Sequence, residues 1–298
     1  MSKAVTPFIK WAGGKYRLAD NLMKYLPANF DPKKNTYIEP MVGSGGFFFK
    51  YAPNNAYLSD INPNLIITYK VIQNDVESLI SALKVHENNH HKHQEQNSKD
   101  YYYEKREEFN QLKSSGQDLI GIAALFIYLN KSCFNGLYRE NSKGGFNVPM
   151  GDYKSTDSKK VICNEDNLLL AHKILRNVTV SCHEYEDTLK VIKEGDFVYL
   201  DPPYLPLDIS SFTKYSKNDF GKNNHLELNA FCDAINDRGA YFMLSNSDTD
   251  LTQKIYLKEG RYSQHFEVGR SISGKIDASG KKFKAKAKEL IVTNYEIK

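Results

Sequence analysis

The chain has 298 residues, 41% of them hydrophobic, and its 40 Lys and Arg nearly balance 36 Asp and Glu, for a formal net charge of +4. That length and apolar content fit one large domain or two smaller ones with a real core. A mean hydropathy of −0.56 and the lack of any long apolar run exclude a membrane span. The opening Met1-Ser2-Lys3-Ala4-Val5-Thr6-Pro7 has no apolar signal-peptide core. Cys133, Cys163, Cys182 and Cys232 form no C-x-x-C pair. Both features point to a reduced, cytoplasmic chain without disulfides or a zinc site.

The first informative segment is Phe8-Ile9-Lys10-Trp11-Ala12-Gly13-Gly14-Lys15, which holds the sole tryptophan, a glycine pair and two lysines. A helix is predicted over Tyr16–Leu26. A strand over Thr36–Glu39 then runs into Glu39-Pro40-Met41-Val42-Gly43-Ser44-Gly45-Gly46. Glycines there let backbone approach a ligand closely. No Lys-Ser/Thr follows, so the turn is not a phosphate-binding Walker loop, and a nucleotide-like ligand without phosphates fits better. The next strand, Ala56–Ser59, ends at Asp60-Ile61-Asn62-Pro63. An acid at that position suits a ribose hydroxyl; the same Asp60 also suits the cap of the helix predicted over Leu65–Gln73.

From about residue 75 to 153 the pattern is helical with little strand. Helices are predicted over Asp75–His86, Tyr101–Lys113 and the strongly apolar Leu119–Asn130. Between the first two lies a polar tract, His86-Glu87-Asn88-Asn89-His90-His91-Lys92-His93-Gln94, which reads as a mobile loop rather than a metal site. Beyond it come a helix over Asn167–Leu175, strands over Val178–Cys182 and Phe197–Leu200, and a helix over Asn224–Asn236. A strand over Ala240–Ser245 and a helix over Asp250–Leu257 follow. Strands over Tyr262–Val268 and Leu290–Tyr295 have no helix between them and suit an antiparallel ending. The alternation elsewhere predicts an α/β fold with a mostly parallel, Rossmann-like sheet, split by a helical insertion. The boundaries expected are 1–66 and 158–298 for the sheet-bearing part and 67–157 for the insertion.

Directly after the apolar run Phe197–Leu200 stands Asp201-Pro202-Pro203-Tyr204. Strand ends are where open α/β sheets bind ligands. Two prolines fix φ and remove two N–H donors while their carbonyls can still accept. The segment offers a carboxylate (Asp201), a nearby carbonyl (Pro202) and a flat ring (Tyr204), a combination suited to a planar group bearing an NH2. The competing reading is an ordinary turn with Tyr packed on proline. Near the end, residues 270–298 carry eight Lys and Arg against three acids. The dense run Lys281–Lys288 reads either as a solvated loop or as a phosphate-contacting strip.

Taken together these pieces resemble the Dam-type (D12 class) DNA adenine-N6 methyltransferases. The resemblance runs through Phe8–Lys15, Glu39–Gly46, Asp60-Ile61-Asn62, Leu129–Arg139, Phe146–Tyr153, Asp201–Tyr204 and Arg270–Ser273. It implies an S-adenosylmethionine cofactor held by Trp11, Lys15, Glu39, Pro40, Gly43, Gly45, Asp60 and Asp201. It implies that the insertion is a target-recognition domain for double-stranded DNA, with GATC as the site. Asp201, Pro202 and Tyr204 would then receive a flipped adenine. Lys10, Phe134, Asn135, Leu137, Arg139, Pro149, Tyr153 and Arg270 would contact DNA, with Phe134 wedging into the duplex. No metal is expected, and the working form is a monomer, with a second copy possible on the palindromic site. The competing functions are methylation of cytosine N4 or RNA, and a DNA-binding regulator without catalysis. Asp201 argues against the N4 enzymes, which usually carry Ser there, and intact Asp201, Tyr204 and Gly43–Gly46 argue against the regulator.

Overall fold

The computed structural model describes residues 4–96, 98–151, 160–205, 220–276 and 282–297, with the backbone alone at 268–276 and 282–287. In chain order the elements are α1 (Ala19–Leu22), β1 (Tyr37–Glu39), α2 (Gly46–Tyr51), β2 (Ala56–Asp60), α3 (Pro63–Asn74), α4 (Val76–Glu95), α5 (Asp100–Ser115) and α6 (Leu119–Ser132). They continue with α7 (Glu165–Leu175), β3 (Val178–Cys182), β4 (Phe197–Leu200), α8 (Lys222–Asp237), β5 (Tyr241–Ser247), α9 (Asp250–Tyr256), β6 (Tyr262–Ile276) and β7 (Lys282–Thr293). The chain divides into two compact units, Met1–Met23 with Val42–Glu184, and Lys24–Met41 with Tyr185–Lys298.

In the first unit β2 pairs in parallel with β3, from Ala56 opposite Val178 to Asp60 opposite Cys182. The helices start where short polar side chains satisfy the open N–H groups of a first turn. Asn62 accepts from the amides of Asn64 and Leu65, with Pro63 at the first helical position of α3. Asp118 accepts from Gly121 at the start of α6. α6 is buried almost all round, from Ile122 to Asn130, as expected of an interior helix. It packs against α3, α4 and α5.

Two expectations change here. The helix expected over Tyr16–Leu26 shrinks to α1 and a 3-10 turn, Met23–Tyr25. Its start at Leu18 has no side-chain cap. The tract 86–94 is no loop; α4 runs through it to Glu95. The histidines recur at helical spacing and face aromatic neighbours. His86 Nδ1 lies 2.8 Å from the Tyr101 hydroxyl, and its ring stacks on Tyr128 at 5.3 Å. His90, 2% exposed, lies 3.2 Å from the Tyr128 hydroxyl. Burial pushes both imidazoles down to about 4, so they pack as neutral rings. Among the described residues no group of three or more His, Cys, Asp or Glu is placed to hold a metal.

In the second unit the strand order is β1-β4-β5-β7-β6. β1, β4 and β5 are parallel neighbours. β7 runs antiparallel to β5 and to β6. All four residues of β4 are buried, which matches its unbroken apolar run. The antiparallel ending is longer than expected. β6 and β7 continue past a register shift between Gly269 and Gly274, where the glycines hid the alternation of a strand. α8 packs on β5 and α9.

Candidate active site and nucleic-acid interface

The glycine turn of the first unit is built against the opening segment. Gly45 donates to the Val42 carbonyl at 2.7 Å, and Val42 donates to Ser59 at 3.0 Å. Gly43 (φ +48°) carries no side chain because Trp11 already fills that space; a Cβ would sit 2.8 Å from its Cδ1. At Gly46 a Cβ would meet the backbone nitrogens of Tyr16 and Lys15 at 2.7 and 2.9 Å. Trp11 itself stacks on Tyr138 at 5.9 Å. Lys15 is buried, with Nζ donating to Gly13 O at 2.7 Å.

Asp60 closes this cradle from the end of β2. Its carboxylate accepts from Gly43 N at 3.0 Å and Asn62 N at 2.9 Å. It does not cap α3, because Asn62 does; the extra two residues let Asp60 turn back to the glycines. Burial raises its pKa, with the three backbone donors Asn62, Gly43 and Ile61 opposing. The cradle therefore presents a half-buried indole, a carboxylate and a buried ammonium around a glycine turn in which Ser44, itself buried, is the one residue with a side chain between Gly43 and Gly46.

In the second unit β4 delivers Asp201 at its end. Ser245 on β5 donates to Asp201 Oδ1 at 3.0 Å. Tyr199 lies 3.0 Å from the same Ser245 hydroxyl, and since serine has a single proton to give, Tyr199 is the donor there. The relay fixes the carboxylate's direction. Burial, then the negative charge of Asp201 and, more weakly, of Glu39 and Glu289, holds the Tyr199 hydroxyl well above its ordinary pKa. Glu39 is buried at the end of β1 and accepts from the Tyr37 hydroxyl. Tyr204 is anchored at its far end, with its hydroxyl 2.5 Å from Glu289 Oε2. The Pro203 carbonyl is taken by His225 at 3.1 Å.

The third cluster lies in the first unit, past α6. Residues 133–150 fold back on themselves through bridges Cys133–Met150 and Glu140–Phe146. Phe134 donates its amide to Pro149 O at 3.0 Å and Asn147 to Arg139 O at 3.1 Å. This hairpin exposes Phe134 (48%) and Leu137 (40%), and also Asn135, Arg139 and Pro149. Phe134 is thus no core residue. Arg139 does not pair with the adjacent Glu140, which takes Lys113 and Tyr138 instead. Its Nε donates to Asn147 Oδ1 at 2.7 Å. Asn130 ties Lys10 to the hairpin root, accepting from Lys10 N and donating to the carbonyls of Lys10 and Gly136. Tyr153 lies outside the described residues, as does the side chain of Arg270.

The model of the D12 class N6 adenine-specific DNA methyltransferases matches residues 11–267. The chain belongs to this family. It is 39% identical to the type II methyltransferase M.MjaIII of Methanocaldococcus jannaschii over 299 residues, 98% of this chain and 99% of that one. It is 36% identical to the DNA adenine methylase of Haemophilus influenzae, over 96% of this chain and 92% of that one. The type II methyltransferase M1.LlaDCHI of Lactococcus lactis subsp. cremoris is 32% identical over 97% and 95%. The protein is accordingly an adenine-specific DNA methyltransferase with DNA as substrate and a methyl donor as cofactor.

Within this methyltransferase several contacts were not legible beforehand. Ser245, His225 and Glu289 hold the Asp201–Tyr204 segment from β5, α8 and β7, all distant in sequence. Asn147 carried a signal, since it lies in the Phe146–Tyr153 segment.

Proposed function

We propose that this methyltransferase transfers a methyl group from S-adenosylmethionine to the N6 atom of a flipped adenine in duplex DNA, within GATC. The observation that carries the reading is the Asp201 carboxylate, fixed on Oδ1 by Ser245 at 3.0 Å and followed by two prolines. The N6 lone pair of adenine is delocalised into the ring and is a poor nucleophile. A carboxylate and the Pro202 carbonyl can accept both amino hydrogens, which favours a pyramidal nitrogen with its lone pair available. The bound cofactor supplies a methyl group activated on a sulfonium. Attack would then be a direct displacement that releases the donor as its neutral thioether, the surplus N6 proton passing to the Asp201 carboxylate or on to solvent, and catalysis is mostly a matter of positioning and charge complementarity.

The cradle fits that cofactor by its chemistry. Asp60 accepts hydrogen bonds, as a ribose diol requires, and Lys15 supplies a cation for a carboxylate. Trp11, Gly43 and Gly45 form the surface, and Glu39 and Pro40 complete the expected set. Flipping the base costs a few kcal/mol. Stacking on Tyr204 recovers about 1–3 kcal/mol, and Phe134 wedges into the vacated stack. Arg139 reads a guanine edge, worth about 1–3 kcal/mol, beside Asn135, Leu137, Pro149 and Tyr153. Lys10, Arg270 and the run Lys281–Lys288 contact phosphates and set register. In this reading residues 67–157 are the recognition domain and 1–66 with 158–298 the catalytic one. The enzyme works as a cytoplasmic monomer.

Transfer of labelled methyl to unmethylated duplex DNA tests the chemistry. Asp201→Ala should abolish transfer while DNA binding persists; substantial residual turnover would remove its assigned role. Methylation-sensitive digestion of DNA from cells expressing the enzyme tests GATC, and digestion at that site regardless of expression would exclude it.

A further inference from the structure

The Asp201–Tyr204 turn cannot be held by its own amides at the two prolines, which have no N–H. Their rings fix φ but leave the direction of each carbonyl to be set from outside. At Pro203 that outside group is His225 on α8, whose Nε2 lies 3.1 Å from the carbonyl oxygen. The imidazole is fully buried, and its Nδ1 lies 2.6 Å from the Tyr256 hydroxyl on α9. Phe220 stands edge-on to the ring at 4.9 Å.

The protons follow from counting. A carbonyl only accepts, so Nε2 carries the hydrogen. A neutral imidazole has one such hydrogen, so Nδ1 accepts and Tyr256 donates. Burial lowers this imidazole to about 4, so one tautomer holds across the neutral range. The peptide plane that His225 grips through Pro203 O also contains the Tyr204 amide. It sets where the Tyr204 ring begins, and Glu289 holds where that ring ends. In the other direction the fixed φ of Pro203 passes the constraint to the Pro202 carbonyl.

We infer that His225 is a positioning residue for methyl transfer, aiming the Pro202 carbonyl and the Tyr204 ring at the target base by holding the Pro203 carbonyl. This rests on the reading of Asp201, Pro202 and Tyr204 as the adenine grip. The contribution is one of orientation, so it appears in kcat and leaves the KM for the methyl donor alone.

The test uses the full-length enzyme, unmethylated duplex DNA and labelled S-adenosylmethionine. His225→Leu fills similar space without a donor and should lower kcat about tenfold or more, with the donor KM within about twofold. His225→Gln places an amide donor towards the same carbonyl and an acceptor towards Tyr256, and should recover most of kcat. His225→Asn keeps an acceptor for Tyr256 but is too short for Pro203, and should behave like His225→Leu. Leu228→Ala, a buried apolar site on the same helix, should lose thermal stability at unchanged kcat. The inference is overturned if His225→Leu and His225→Asn keep wild-type kcat, if Gln rescues nothing, or if kcat simply follows melting temperature through all four variants. Asp201→Ala separates the two levels. An active Asp201→Ala enzyme removes the adenine grip and this inference with it, whereas an inactive one beside a fully active His225→Leu removes the role of His225 alone.

Discussion

The Arg139 guanidinium is tethered to Asn147, through Nε to the side-chain oxygen at 2.7 Å and through Nη2 to the backbone carbonyl at 3.4 Å. The side chain is exposed, and an untethered arginine there would pay rotamer entropy on meeting a base. Because Nε is engaged, the distal edge of the fork is the one presented to a partner. Under the GATC reading proposed above, Asn147→Ala should therefore weaken discrimination between that site and sites altered at one guanine, while binding to unrelated duplex stays constant. Arg139→Ala should remove about 1–3 kcal/mol of that discrimination. Competition binding against single-substituted sites measures both, and an equal loss on every sequence would make Arg139 a phosphate contact.

Gly43→Ala adds a methyl 2.8 Å from Trp11 Cδ1 at a positive φ of +48°. The left-handed conformation alone costs a side chain about 1–2 kcal/mol, and the indole must also move. Cofactor binding should weaken at least about tenfold, the equivalent of about 1.4 kcal/mol. Trp11 is the only tryptophan, so its fluorescence reports the event directly. Titration with S-adenosylhomocysteine should perturb wild-type emission, and a Gly43→Ala protein with an unchanged titration would place the cofactor elsewhere.

Phe134 is 48% exposed, so its removal should change stability by no more than about 0.5 kcal/mol. The same change should lower the flipped fraction of the target base. With 2-aminopurine at the target position, Phe134→Ala should show a weaker fluorescence rise on binding at an unaltered melting temperature. A full rise would remove the wedge role proposed for Phe134.

Acid should loosen this protein in a defined window. His86, His90 and His225 titrate near 4 in the fold against about 6.5 unfolded. Between those values the unfolded chain binds more protons, so stability falls as pH drops from about 6.5 towards 4. The slope is about 1.4 kcal/mol per pH unit for each ring that stays neutral in the fold while the unfolded chain is protonated. Urea unfolding across that range should show it, and His90→Phe should flatten it by about one proton. A flat profile in the wild type would mean that the rings are solvated.

Much of this was legible in local patterns. Val178–Cys182 alternates apolar with polar side chains and Phe197–Leu200 is an unbroken apolar run, and both fold as read. The tetrapeptide Asp201–Tyr204 stands at a strand end because a buried parallel strand ends there. Asp60 shows the limit. A carboxylate two residues ahead of Asn62 looks like a cap, and only the turn of the backbone directs it to Gly43. The tract 86–94 misled for a different reason. Its polarity suggested solvent, but the Tyr101 and Tyr128 hydroxyls that make it a core surface lie 15 and 38 residues away. The holders Ser245, Glu289 and His225 were hidden likewise, each by its distance along the chain from Asp201–Tyr204.

Asn130 spends one amide on both the opening segment and the hairpin root, and the space over Gly136 is filled by Lys10, whose Cβ a methyl there would meet at 2.6 Å. The hairpin proposed above to read DNA is in consequence a two-piece part. Transplanting 133–150 into a sister enzyme without its matching opening strip would leave that amide facing a stranger. Swapping specificities among such enzymes thus calls for paired inserts, cut on both sides of the same asparagine.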